Sequence, residues 1–246
     1  MLIDESGTGP AGGLSGFSSS TVPLPGPYVT LARPRTRALC ELAARMAGPG
    51  GYYNIGNAIG LLGGLALAAW NAGGSGEAAT AAAGYLAGSG SAVALTVATL
   101  VFFWSGEVYH RAWADPDRPD ARLNRQGDLL SAIGAVALGI SLALLGMPLL
   151  AATAGLMHAL GKFGSALHRP GAPPPFGWPT AWPDLFRSVV LLSRVPATLA
   201  AALALAAGVA GAGPEVIVPA LLGPGVLLLC NLLWARADLL LFRPAG

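Results

Sequence analysis

The chain has 246 residues, 54% of them hydrophobic and only 11% charged, with a net charge of +2. A soluble domain carries about 25% charged residues to cover its surface, so this composition excludes a cytosolic α/β enzyme, a secreted disulfide scaffold and a free nucleic-acid binder. The apolar residues fall in long runs, and mean hydropathy is +0.60, which directs the excess apolar surface to lipid rather than to an enlarged core.

Two cysteines, Cys40 and Cys230, lie in unlike surroundings, a basic tail and an apolar run, and form no disulfide framework. Arginine makes up nearly all of the basic residues, Lys162 being the single lysine, beside abundant Gly, Ala and Pro. That bias fits a GC-rich bacterial genome, and the expected location is the bacterial inner membrane, with several crossings.

Residues 1–36 are rich in Gly, Ser, Thr and Pro and bury too little apolar area to offset the entropy of ordering. They are expected to be a disordered or partner-docked cytoplasmic tail. The chain begins Met1-Leu2-Ile3-Asp4-Glu5, acidic where a cleavable export signal is basic. Over 37–47 the apolar Leu39, Leu42, Ala43 and Met46 share one helical face and Arg37, Glu41 and Arg45 the other, predicting a short amphipathic helix on the membrane surface.

The region 53–242 reads as an all-α bundle of six spans: 53–71, 88–110, 128–146, 148–167, 186–211 and 216–234. Each is near the roughly 20 residues that cross a bilayer. The positions between them and at their ends carry the topology signal. Arg33 to Arg45, Arg111 to Arg125, Lys162 with Arg169, Arg187 with Arg194, and Arg236 with Arg243 all fall on one side, while the opposite connections hold only Glu77 and Glu215. The positive-inside rule then places both termini in the cytoplasm.

Rows of small residues four apart recur along the spans. Gly56, Gly60, Gly64 and Ala68 mark the first, Gly127, Ser131, Ala135, Gly139 and Ala143 the third, and Ala200, Ala204, Gly208 and Ala212 the fifth. Because apolar burial gives little drive between helices in lipid, close backbone approach at such rows is where helices are expected to meet. The first and third rows open alike, at Gly56-Asn57 and Gly127-Asp128, a pattern as easily produced by composition as by an internal repeat. The sixth span is interrupted by Pro219 and by Gly223-Pro224-Gly225, read chiefly as a kink and alternatively as the broken helix of a transport site.

Chemistry-bearing residues are few. Glu107 and His110, three apart at the inner end of the second span, face Asp128 at the start of the third, a set suited to divalent metal or to acid–base catalysis. Against this, Glu107 pairs naturally with Arg111, and Asp128 suits a helix N-terminus. His158, set about one turn inside Lys162, is the candidate ligand for haem or a chlorophyll-type pigment, and its plainer role is a hydrogen bond to another helix. No cofactor or metal is expected otherwise. The loop 169–184 carries six prolines around Phe176, Trp178 and Trp182, predicting a stiff extended segment with rings turned to the interface or to a partner. These features favour a non-catalytic accessory or assembly subunit of a larger membrane complex, contacting the lipid bilayer and other membrane subunits. A small transporter built around the sixth helix and a membrane-embedded enzyme using Glu107, His110 and Asp128 are the alternatives.

Overall fold

The computed structural model describes residues 48–71, 80, 89–169, 172–211 and 213–242. The tail at 1–36, the amphipathic helix at 37–47, Glu77, Ala212 and Arg243 lie outside the described residues, as does the side chain of Ala68.

Six helical rods make up the described chain, with no strand among the described residues. They are α1 (Pro49–Asn71), α2 (Gly90–Ala112), α3 (Ala121–Leu144), α4 (148–167), α5 (Trp182–Val209) and α6 (Pro214–Leu241). Four of them, α2, α3, α5 and α6, are long and apolar enough to cross a membrane. Their exposed side chains include Leu100, Ile133, Ile140, Leu199 and Leu203, whereas the largest fully buried side chains of the described chain include Tyr109, Lys162, His158, Asp128 and Asp238. Apolar residues outside and charged residues inside reverse the arrangement of a water-soluble domain. The chain is a membrane protein.

Each rod packs against its neighbours in chain order, and α6 closes against α1, giving a ring of six. Hairpins are short where the chain is continuous. The turn between α3 and α4 uses Gly146 at φ +74°, a left-handed conformation that glycine adopts without a Cβ clash, and Pro148 then opens α4 at the position where its missing N–H is harmless.

The starts and ends of helices differ from the sequence expectation where a charge seemed to mark a boundary. Helix α3 begins seven residues before Asp128, because Asp120 is its N-cap and accepts from the backbone N–H groups of Arg122 and Leu123. Asp128 therefore lies two turns inside. Helix α6 runs on to Leu241, beyond the expected end at 234, carrying Arg236 and Asp238 with it.

Proline does not break α6. Leu221–Gly225 forms a π-helical turn that absorbs Pro224, and Gly225 keeps helical angles of φ −64° and ψ −46°. A π-helical stretch also occupies Ala151–Met157 of α4, so the widened turn in α6 has a counterpart that the sequence concealed.

The small-residue rows divide into inward and outward parts. In α3, Gly127 lies under the Tyr109 ring, Ser131 and Ala135 are buried, and Gly139 meets the backbone of Gly155 in α4. Helices on both sides therefore use this row. In α1, Gly56 fits beneath Trp234 and Gly60 faces Cys230, but the next contact is Gly63 on Val226, while Gly64 has open space. In α5, Ala200 and Ala204 are exposed while Gly208 lies against Ala220 of α6, and the buried face is Val190, Ser193, Ala197 and Ala201. The cause is helical pitch: at 3.6 residues per turn, a row of fourth residues drifts about 40° per step and leaves a single-sided contact within two steps.

Candidate functional site: a charge cluster drawn from all six helices

Lys162 stands at the centre of the ring with 0% exposure. A lysine amine wants three acceptors and a counter-charge. Here Nζ lies 2.9 Å from Asp238 Oδ1 and 3.3 Å from Asp128 Oδ1, and donates to the Tyr109 hydroxyl at 3.2 Å. The rings of Tyr53, Tyr109 and Phe242 surround it with centroids at 5.4, 5.1 and 5.2 Å, distances at which an ammonium is attracted to an aromatic face. Tyr53 and Tyr109 stack on each other at 5.2 Å.

Each carboxylate has its own set of donors. Asp238 accepts from the Tyr53 hydroxyl and from Arg194 Nε at 3.1 Å, and Asp128 accepts from Tyr109 at 2.5 Å and Ser165 at 2.9 Å. Arg194 also packs over the Trp234 ring at 5.4 Å. The cluster then continues to His158, whose Nε2 is 3.3 Å from Arg194 Nη2 and whose Nδ1 is 2.9 Å from Ser193 Oγ. Ser193 donates its hydrogen to the Val190 carbonyl at 2.6 Å, so it accepts from Nδ1–H. Arg194 has only donors, so Nε2 accepts. Those two partners assign His158 as the neutral Nδ1–H tautomer.

Two cations and two carboxylates thus offset one another around a neutral imidazole. Every rod contributes: Tyr53 from α1, Tyr109 from α2, Asp128 from α3, His158, Lys162 and Ser165 from α4, Ser193 and Arg194 from α5, Asp238 from α6. Tyr53, Asp128 and Arg194 sit in the first halves of their helices, Tyr109, Lys162 and Asp238 near the ends of theirs. Their meeting at one level makes successive rods antiparallel and sets the cluster toward the end that bears the 113–120 and 168–181 connections.

The expected constellation of Glu107, His110 and Asp128 does not assemble. Glu107 is exposed and pairs with Arg111 at 3.1 Å, while Asp128 turns inward to Lys162. No group of three metal-ligating side chains occurs among the described residues. His158, the candidate pigment or haem ligand, has a protein partner on each ring nitrogen. Lys162 and Arg194, read as markers of the membrane boundary, are inside the bundle instead.

The proline and aromatic loop also folds inward. Trp182 is 4% exposed and meets His168 edge-on at 5.6 Å, and Trp178 packs on Phe186 at 4.9 Å. The Phe186 ring in turn covers Gly164 of α4. Of the three rings Phe176, Trp178 and Trp182, only Phe176 projects, 84% exposed and at φ +56°. Burial, and then the neighbouring Arg187, hold the His168 imidazole below its usual range, with Asp184 opposing.

Sequence reasoning missed Tyr53, Ser165, Ser193 and Asp238 entirely and misread Lys162 and Arg194. One signal was available: in a chain that uses arginine at every other basic position, Lys162 is the single lysine, and an amine suits a crowded pocket of separate acceptors better than a planar guanidinium. Compared with known proteins, the chain matches no family model, no curated protein and no solved structure.

Proposed function

We propose that the chain is a six-span, multi-pass protein of the bacterial inner membrane, with both termini in the cytoplasm, that serves as a non-catalytic accessory or assembly subunit of a larger membrane complex. One observation carries the reading: each ionisable side chain of the central cluster is engaged by others of the cluster. A charge within a span costs about 2.5–3.5 kcal/mol on insertion scales, and here that cost supports a fixed arrangement of all six helices. Rigid presentation of outer faces is what a scaffold requires. The outward small residues Gly64, Ala200 and Ala204 fit close approach by another membrane helix.

Gentle solubilisation followed by purification of the tagged chain tests this. Other membrane subunits should co-purify in fixed ratio and be lost with Ala204→Phe, an exposed position whose enlargement leaves the bundle itself intact. Recovery of a monomer that catalyses or transports unaided overturns the reading.

A second reading is a small proton-coupled transporter, favoured by the continuous chain of proton-bearing groups from Tyr109 through Asp128, Lys162 and Asp238 to Arg194 and His158. Proton flux into liposomes that disappears with Lys162→Met/Asp128→Asn, the pair in which the remaining charges still balance, would favour it over the scaffold. The catalytic reading of Glu107, His110 and Asp128 has no comparable support, and no cofactor is proposed.

A further inference from the structure

Directly above the buried cluster, at the end of the ring, an open groove of about 370 Å³ lies between the start of α3 and the ends of α4 and α6, with α5 as its far wall. That volume falls within the range of about 300–1,000 Å³ typical of small-ligand sites. Four arginines line it, Arg122, Arg125, Arg169 and Arg187, with His168 and Ser165 between them and the Leu241 and Phe242 side chains as an apolar floor.

The positive charge is only partly used by the protein. Arg187 pairs with Asp184 at 3.3 Å, and Arg125 donates through Nε to the Ala166 carbonyl at 3.0 Å. The guanidinium groups of Arg122 and Arg169 have no hydrogen-bond or ion-pair partner among the described residues. Asp120, next to the groove in the chain, is committed to capping α3, and Asp128, reached through Ser165, is matched by Lys162. Phe242 lines the groove and also meets the cluster, its ring centroid 5.2 Å from Lys162 Nζ and 5.8 Å from the Arg187 guanidinium.

We infer that this groove binds a phosphate-bearing anion, the phosphodiester of an anionic lipid headgroup or a free phosphate, through Arg122 and Arg169 with Arg125 and Arg187 beside them. Guanidinium groups match phosphate oxygens in paired, charge-assisted bonds. Basic pockets between helices on the cytoplasmic side are where such headgroups lodge, and the apolar floor suits the glycerol and first methylenes of a lipid better than a hydrated inorganic ion.

Calorimetric titration of the full-length protein in an uncharged detergent tests the site, with short-chain phosphatidylglycerol, short-chain phosphatidylcholine and sodium phosphate as probes. Phosphatidylglycerol should bind saturably, one per chain, and weaken about tenfold or more with Arg122→Gln/Arg169→Gln; the zwitterionic lipid should bind far less. Saturable binding of sodium phosphate that shows the same loss assigns the site to free phosphate. Arg122→Lys/Arg169→Lys, which keeps the charge, should retain more affinity than the glutamine pair. Equal isotherms for wild type and glutamine variant, equal binding of the two lipids, or no saturable binding of any probe overturns the inference.

Discussion

Lys162 decides the energetics at the scale of single residues. Its amine compensates two carboxylates at once, at 2.9 and 3.3 Å, while Arg194 reaches only Asp238. Removing one member of a buried ion pair leaves an uncompensated charge and costs about 3–5 kcal/mol, whereas removing matched members together is often near neutral. Lys162→Met should therefore destabilise the protein by about that amount, read as a large fall in the thermal unfolding temperature in detergent. Adding Asp128→Asn should recover most of the loss, because Arg194 and Asp238 still balance each other. A double variant no more stable than Lys162→Met would mean that the cluster is held by shape rather than by charge. The sequence hid this arrangement for a physical reason. In a one-dimensional reading, a charge in an apolar run marks the run's end, so Lys162 and Arg194 look like boundary residues and Asp238 gives no signal of its own. Tyr53 and Tyr109 look like interface aromatics until their hydroxyls are seen pointing inward.

At the scale of helices, close approach rather than composition determines which small residues matter. Gly139 and Gly155 let the backbones of α3 and α4 touch, and a Cβ on Gly155 would strike the Gly139 Cα. Gly155→Val should force the two rods apart, costing about 1–3 kcal/mol as overpacking does. Gly64→Ala supplies the contrast. It meets nothing within 4 Å and replaces a poor helix former by the best one, so it should leave thermal stability unchanged or slightly raised. A loss in Gly64→Ala as large as that in Gly155→Val would show that close approach between rods does not set these two positions apart. The α3 row was legible in the sequence because partners on both sides tolerate the drift of a fourth-residue row. In the α5 row Gly208 meets Ala220 of α6, but Ala200 and Ala204 do not pack, because that side of the helix faces outward. The helix boundaries erred for a related reason: Asp120 is a good N-cap, but it was hidden within a basic loop that seemed to belong wholly to solvent. The two π-helical turns leave no pattern in residue type beyond the proline in one of them.

At the scale of the whole molecule, the apolar exterior and the alternation of the rods were readable from run length and spacing, and the site was not, because it exists only once six distant segments close into a ring. The ring also carries a topological consequence. Asp128, Lys162, Arg194 and Asp238 meet at one level, so the connections at 113–120 and 168–181 share one end of the molecule and the 145–147 turn lies at the other. If all six rods cross the membrane with the arginine-rich end in the cytoplasm, three single cysteines should separate cleanly. In a Cys40→Ala background, with buried Cys230 left in place, Met147→Cys should react with a membrane-impermeant maleimide in spheroplasts. Asp117→Cys and Pro173→Cys should react only after permeabilisation. Arg118, Arg122 and Arg169 lie at or beside these two inner positions, while the 145–147 turn has no charged residue, which is the imbalance that retains one end in the cytoplasm. Labelling of position 173 from outside would require that α4 does not cross, and a non-crossing α4 could not carry Lys162 to the depth of Asp128 and Asp238 without bringing that whole level to the membrane surface.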